Sequence, residues 1–222
     1  MYLGHLAAGL VLKARVREAP LAWLLAATVV SDVLCGVLLM LGVEQVVIHG
    51  SLTFSHGQAT IPYSHSLVGT LVLASVAAWI AARSASRRVG FAVFLAVLSH
   101  YVLDVLTHLP DMHVLGFGAE PDLVLGTRLA AFPVAHYIVE VAWCLFAWAI
   151  FDRSDLRLLV TMLILLASYA NSLMGFIYIP PVSSFTMGVS MLVLFIGTPL
   201  LLLWARSGFD TRYTRSSTRQ SR

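Results

Sequence analysis

The chain has 222 residues, 59% of them hydrophobic and 11% charged, with a formal net charge of +3. Its mean hydropathy of +0.87 excludes a soluble domain, because a fold of this length has too little interior to hide so much apolar surface. It reads as one integral membrane domain with no room for a second, soluble one.

Residues 1–12 open the chain. They are apolar but too short to cross a bilayer, and at 1.5 Å per residue they climb about 18 Å from Lys13. Two placements are open: a half-depth helix covered by protein, or a helix lying in the interface. The start, Met1-Tyr2-Leu3-Gly4-His5, lacks a basic n-region and an A-x-A site, so no removable signal peptide is expected.

Six apolar runs follow, at 20–43, 64–82, 89–109, 130–151, 157–179 and 185–205. Each is long enough for a hydrocarbon core of about 30 Å. Arg83-Ser84-Ala85-Ser86-Arg87-Arg88 and Asp152-Arg153-Ser154-Asp155 separate neighbouring runs, and Pro180-Pro181 breaks the fifth from the sixth. The expected fold is all-α: a polytopic bundle of about six transmembrane helices plus the short N-terminal helix, occupying residues 1–205. Residues 206–222, rich in Ser, Thr and Arg, read as a disordered basic tail that touches anionic membrane lipids or simply anchors topology. Cys35 and Cys144 fall inside apolar runs and read as small buried hydrophobes.

The basic residues set orientation. Lys13, Arg15 and Arg17 precede the first run; Arg83, Arg87 and Arg88 join the second and third. Arg153 and Arg157 join the fourth and fifth, and Arg206, Arg212, Arg215, Arg219 and Arg222 follow the sixth. Of the 14 basic residues only Arg128 falls on the opposite side. By the positive-inside rule both termini are expected in the cytoplasm.

Three acids sit inside these apolar runs: Asp32, Asp104 and Glu140. A carboxylate at membrane depth costs several kcal/mol unless paired, which makes each a functional-site residue by default. No Lys or Arg neighbours them in sequence, but histidines do. His100, Asp104 and His108 follow i, i+4, i+8 on one helix face, and His136 with Glu140 forms another i, i+4 pair. Helical rise places Asp32 about 18 Å, His100 about 17 Å and Asp104 about 22 Å above the cytoplasmic boundary. His65 starts near the outer boundary, with His136 and Glu140 about 9 Å and 15 Å below it. Separate segments thus deliver their ionisable groups to the outer half of one bundle. Imidazoles and carboxylates without side-chain cations point to a metal ion as the missing positive charge.

Each motif also has an ordinary reading. A single His-x-x-x-Asp often makes an interhelical hydrogen bond, and Ser64 suits a helix N-cap. His49, His56 and His113 read as solvated loop residues, while Tyr169 and Asn171 read as interhelical hydrogen-bonding groups.

Gly4-His5, Asp32, Ser64-His65-Ser66 and Leu98-Ser99-His100-Tyr101-Val102-Leu103-Asp104 together resemble a bacterial family of inner-membrane proteins described as metal-dependent hydrolases. The similarity covers roughly residues 1–110. That family is similar in ligand order to zinc-dependent phospholipases C and single-strand-specific zinc nucleases. The chain departs from it at Ser31-Asp32-Val33-Leu34, where Pro-Asp-x-Asp is common, and at Ile61-Pro62-Tyr63-Ser64, where His-Arg-Gly-Thr is common. The resemblance implies one zinc on Asp32, His65, His100 and Asp104, and a second on His108, His136 and Glu140. A third would use His5 with Asp104 bridging, so the zinc count lies between one and three.

The expected function is a membrane-embedded, zinc-dependent hydrolase of a lipid or lipid-linked phosphoester at the extracytoplasmic leaflet of the bacterial inner membrane. Asp32 and Asp104 are its expected catalytic acids, with Asp32 as general base. No nucleic-acid partner is expected. A proton- or cation-coupled transporter and a non-catalytic scaffold held by its polar cluster are the alternatives.

Overall fold

A computed structural model describes residues 1–48, 57–118, 120–173 and 183–220. Among them the chain forms eight α-helices and two short antiparallel hairpins. The first helix, α1, spans Leu3–Arg15, and its residues from Leu3 to Leu10 are all buried. It is therefore no interfacial helix. It inserts between α2 (Leu21–Thr28), α5 (Arg87–Val105) and α6 (Pro133–Asp152), with Leu3, Leu6 and Leu10 in one core with Leu25 and Leu166. Burial of this stripe against protein is what lets a helix too short to span hold its place.

The first expected span is not continuous. α2 and α3 (Val30–Met40) meet at a 49° bend, where Val29 leaves helical geometry at φ −118°, ψ 6°. Thr28, Val29 and Val30 are a β-branched run, the residue class that crowds the preceding helical turn. The break is buried, with Thr28 and Val29 at most 2% exposed, which is the condition for irregular backbone at membrane depth.

The remaining helices start where local chemistry predicts. Ser66 caps α4 (Leu67–Ser84) by accepting from Gly69 N, and Ser86 caps α5 by accepting from Val89 N. Pro133 occupies the first turn of α6, where its missing N–H costs nothing. Asp155 accepts from Leu158 N at 3.0 Å to open α7 (Leu156–Leu173). The last helix, α8, runs Ser184–Gln220. It carries helical backbone into residues 206–220, which the composition marked as disordered; after Gly208 that stretch has neither Pro nor Gly to stop the ladder.

Four described helices are long and apolar enough to cross a membrane: α4, α5, α6 and Ser184–Ser207 of α8. The bent α2–α3 pair makes five if counted as one span. The expected six is reduced because the apolar part of α7, Leu156–Ala170, is shorter. Pro180-Pro181 and the end of the fifth run lie outside the described residues. Large apolar side chains face outward along the bundle, among them Val76 and Trp79 on α4, Ile138 on α6 and Val193 on α8. A lipid environment accommodates such a surface; water does not.

α3 and α8 cross with almost no space between their backbones. A methyl group added at Gly188 would stand 2.5 Å from the Gly36 carbonyl oxygen, so only glycine fits this small-residue crossing. Gly188→Ala should destabilise the protein by about 1–3 kcal/mol through overpacking. Thermal unfolding in detergent measures this, and an unchanged midpoint would contradict the packing.

Segments bearing basic residues also meet in space. Arg88 Nε lies 3.3 Å from Glu18 Oε1. Arg206 Nη1 reaches Asp152 Oδ2 at 2.7 Å and Asp155 Oδ2 at 3.0 Å, tying α8 to the α6–α7 turn.

At the opposite ends of the helices lie the hairpins, which hydropathy did not foresee. β1 (Gln45–Ile48) pairs with β2 (Gly57–Thr60), and β3 (Met112–His113) pairs with β4 (Val124–Leu125). His49 and His56 lie outside the described residues. His113 is not simply solvated, since its Nδ1 lies 3.0 Å from Asp122 Oδ2. The Leu115 amide, with those of Gly116 and His113's ring behind it, holds the Asp122 carboxyl below the usual carboxylate range.

Candidate metal centre

Asp104 is the hub. One helical turn above His100 on α5, it is 1% exposed, and its Oδ2 lies 3.0 Å from His100 Nε2. Its Oδ1 faces His5 Nε2 at 3.1 Å and His108 Nε2 at 3.5 Å. α5 ends at Val105, short of the expected 109, so His108 is off the helix. It keeps the face because its backbone N–H still donates to Asp104 O at 2.7 Å. The Met1 amino group also donates to Asp104 Oδ1, at 3.1 Å. Sequence neighbours had suggested acids without a cation; the amino group of a residue 103 positions away supplies one. Met1 is thus buried inside the bundle.

The α2–α3 bend serves this site twice. It frees the Thr28 carbonyl, which sits 2.8 Å from His100 Nδ1. It also puts Asp32 in the first turn of α3, where the helix dipole favours negative charge. Asp32 Oδ1 lies 3.6 Å from His65 Nε2, and its Oδ2 lies 3.7 Å from His100 Nδ1.

His65 precedes α4 in a turn. Ser64 is not the helix cap; Ser66 is, and the Ser64 hydroxyl instead contacts His65 Nδ1 at 2.7 Å. Buried Glu44 backs Ser64 at 2.7 Å. Neither Thr28 nor Glu44 stood out in the sequence, since a carbonyl has no sequence signal and Glu44 lies just past an apolar run.

The ring of His100 gives its Nδ1 proton to the Thr28 carbonyl, which can only accept, so in the neutral ring Nε2 carries the lone pair, whereas in the imidazolium it donates to Asp104 Oδ2 at 3.0 Å. His65 Nε2 points at this nitrogen from 3.4 Å. A tetrahedral ion with bonds of about 2.0–2.1 Å separates its ligands by about 3.3 Å. Among the described residues, two combinations lie close enough to hold one ion: His5, His100 and Asp104, and Asp32, His65 and His100. All are buried.

No family model, curated protein or solved structure matches this chain.

His136 and Glu140 stand apart from those two combinations. Their closest approach is 3.7 Å, from Nε2 to Oε2. Glu140 Oε1 is engaged elsewhere, accepting from Tyr2 N at 2.8 Å and Gly4 N at 2.9 Å. It caps α1 from another helix, a role its spacing to His136 did not suggest. Glu140 Oε2, both ring nitrogens of His136 and the Tyr169 hydroxyl are buried without a hydrogen-bond partner among the described residues. Tyr169 therefore makes no interhelical hydrogen bond there; its ring packs 5.4 Å from that of Tyr2. The side chain of Asn171 lies outside the described residues. Cys35 and Cys144 are buried and free, as expected.

Proposed function

We propose that this protein is a membrane-embedded, zinc-dependent hydrolase of the phosphoester group of a lipid or lipid-linked substrate. The observation that carries the reading is the convergence of acceptors: His65 Nε2 and His100 Nε2 at 3.4 Å, flanked by the Asp32 and Asp104 carboxylates. Between neutral rings, lone pairs at this spacing repel one another unless a metal ion or a shared proton sits among them. Imidazole with carboxylate is a donor set suited to zinc.

Asp32, His65, His100 and Asp104 would hold one ion. His5, against the other oxygen of Asp104, would help hold a neighbour. The unpartnered polar atoms of His136 and Glu140 suit a further one, with His108 near. Bound zinc lowers the pKa of a water toward 7 and offsets charge on phosphoryl oxygens. Asp32 Oδ2 has no hydrogen-bond partner among the described residues and would accept the proton of an attacking water. Burial keeps bulk water from the acids and strengthens their field on the substrate.

Sidedness follows from charge. The basic turns, with Arg88 and Arg206 in ion pairs, mark the cytoplasmic end of a bacterial inner-membrane protein. Because Met1 is buried, Lys13, Arg15 and Arg17 define that boundary for the first segment. The cluster lies toward the hairpin end, which on this reading faces the outer-leaflet headgroups.

Protein purified without chelator should carry about one zinc per chain or more. Stripping the metal should abolish phosphodiester or phosphomonoester hydrolysis, and zinc should restore it. Elemental analysis together with chromogenic ester assays tests this; a metal-free wild type would overturn the proposal. The broken α2–α3 pair is also the form of helix that lines ion paths in transporters. Cation flux into vesicles that disappears in an Asp104 variant, without hydrolysis, would favour that second reading.

A further inference from the structure

α3 ends in a Schellman motif. Gly42, at φ +71°, donates to Leu39 O at 3.1 Å, and Val43 donates to Leu38 O at 2.9 Å. The left-handed residue turns the chain sharply, and glycine adopts it without steric cost. Two residues on, the Glu44 side chain is carried inward and is 0% exposed. A wholly buried carboxylate must be satisfied or it destabilises the fold, and this one is. Its Oε1 accepts from Tyr63 N at 2.9 Å and Ser64 N at 2.8 Å, and its Oε2 accepts from Ser64 Oγ at 2.7 Å.

The consequence passes to His65. A serine hydroxyl has one proton. Ser64 spends it on Glu44, so toward His65 Nδ1 it can only accept. The neutral imidazole must then carry its proton on Nδ1 and its lone pair on Nε2. That nitrogen is the one 3.4 Å from His100 Nε2 and 3.6 Å from Asp32 Oδ1.

We infer that Glu44, acting through Ser64, is a positioning residue that locks His65 in the tautomer able to ligate a cation. The inference rests on the metal reading above for its purpose, but the direction of the hydrogen-bond chain stands on geometry alone. Outer partners of this kind orient a ligating imidazole and typically change metal affinity 10–100-fold.

Glu44→Gln tests the direction. The glutamine oxygen would keep both backbone N–H groups, so its NH2 would face Ser64. Ser64 would then accept from residue 44 and donate to His65 Nδ1, moving the ring proton to Nε2. Full-length protein with 15N-labelled histidine, in lipid nanodiscs, reports the tautomer through its ring nitrogen shifts. The expected result is inversion at His65 in Glu44→Gln, with zinc affinity about 10–100-fold weaker. Ser64→Ala leaves Glu44 its backbone partners but cuts the chain, and should weaken zinc to a similar degree with the fold intact. An unchanged His65 tautomer in Glu44→Gln, or unchanged zinc affinity in both variants, would overturn the inference. Tautomer inversion in a protein whose wild type takes up no zinc would uphold the positioning and sink the metal reading.

Discussion

On the proposed zinc centre, Asp104→Asn should leave the protein without detectable zinc and reduce hydrolysis by more than about 100-fold, beyond the 10–100-fold typical of an outer partner. One carboxylate faces the Met1 amine and His5 at 3.1 Å, His100 at 3.0 Å and His108 at 3.5 Å. Asparagine has nearly the same shape, but its NH2 can neither ligate a cation nor accept from the Met1 amine. The buried Met1 amine would also lose its counter-charge, at a cost of about 3–5 kcal/mol. Zinc added to wild-type protein should raise the unfolding temperature, by mass action on the folded state, and should leave the variant where it was. Elemental analysis and unfolding with and without zinc measure both parts. A variant with full zinc content would show that Asp104 is no ligand.

Glu140→Ala should have the largest effect on stability alone, about 3–6 kcal/mol. It removes two hydrogen bonds to a charged acceptor, each worth about 1.5–3 kcal/mol. α1 has no side-chain cap of its own at Tyr2, and its first amides are buried, so water cannot replace Glu140. The carboxylate also sits where the helix dipole favours negative charge. Because α1 brings His5 to Asp104, the loss should loosen the centre as well as the fold. Glu140→Gln keeps an acceptor and should cost only about 1–2 kcal/mol. Hydrogen exchange at residues 3–6 locates the effect: protection should fall in Glu140→Ala and persist in Glu140→Gln. Equal stability of wild type and Glu140→Ala would refute the capping role.

Where expectation and structure agree, the signal was local. The spacing of His100 and Asp104 places them one turn apart on any helix. For α1 the apolar run ending at Lys13 gave the helix and left two placements open, and burial against protein decides between them. Where they differ, a distant partner intervened. His65 was read beside a capping serine, yet Ser64 turns to Glu44 and Ser66 takes the cap. The first span looked continuous, because Val29 is apolar and hydropathy carries no record of backbone direction. Glu140 looked like half of a ligand pair, and its nearest partners proved to be amides of α1.

Composition and pattern alone therefore settle that this is a bundle of membrane helices, with its basic turns sharing one end and its acids placed among imidazoles. Those properties depend on hydrophobic transfer and on the rise of a helix, and both act over neighbouring residues. The bend at Val29, the amine at Asp104 and the chain from Glu44 to His65 emerge only on folding. A buried donor or acceptor takes whichever partner packing brings within 3 Å, and that partner stands anywhere along the chain.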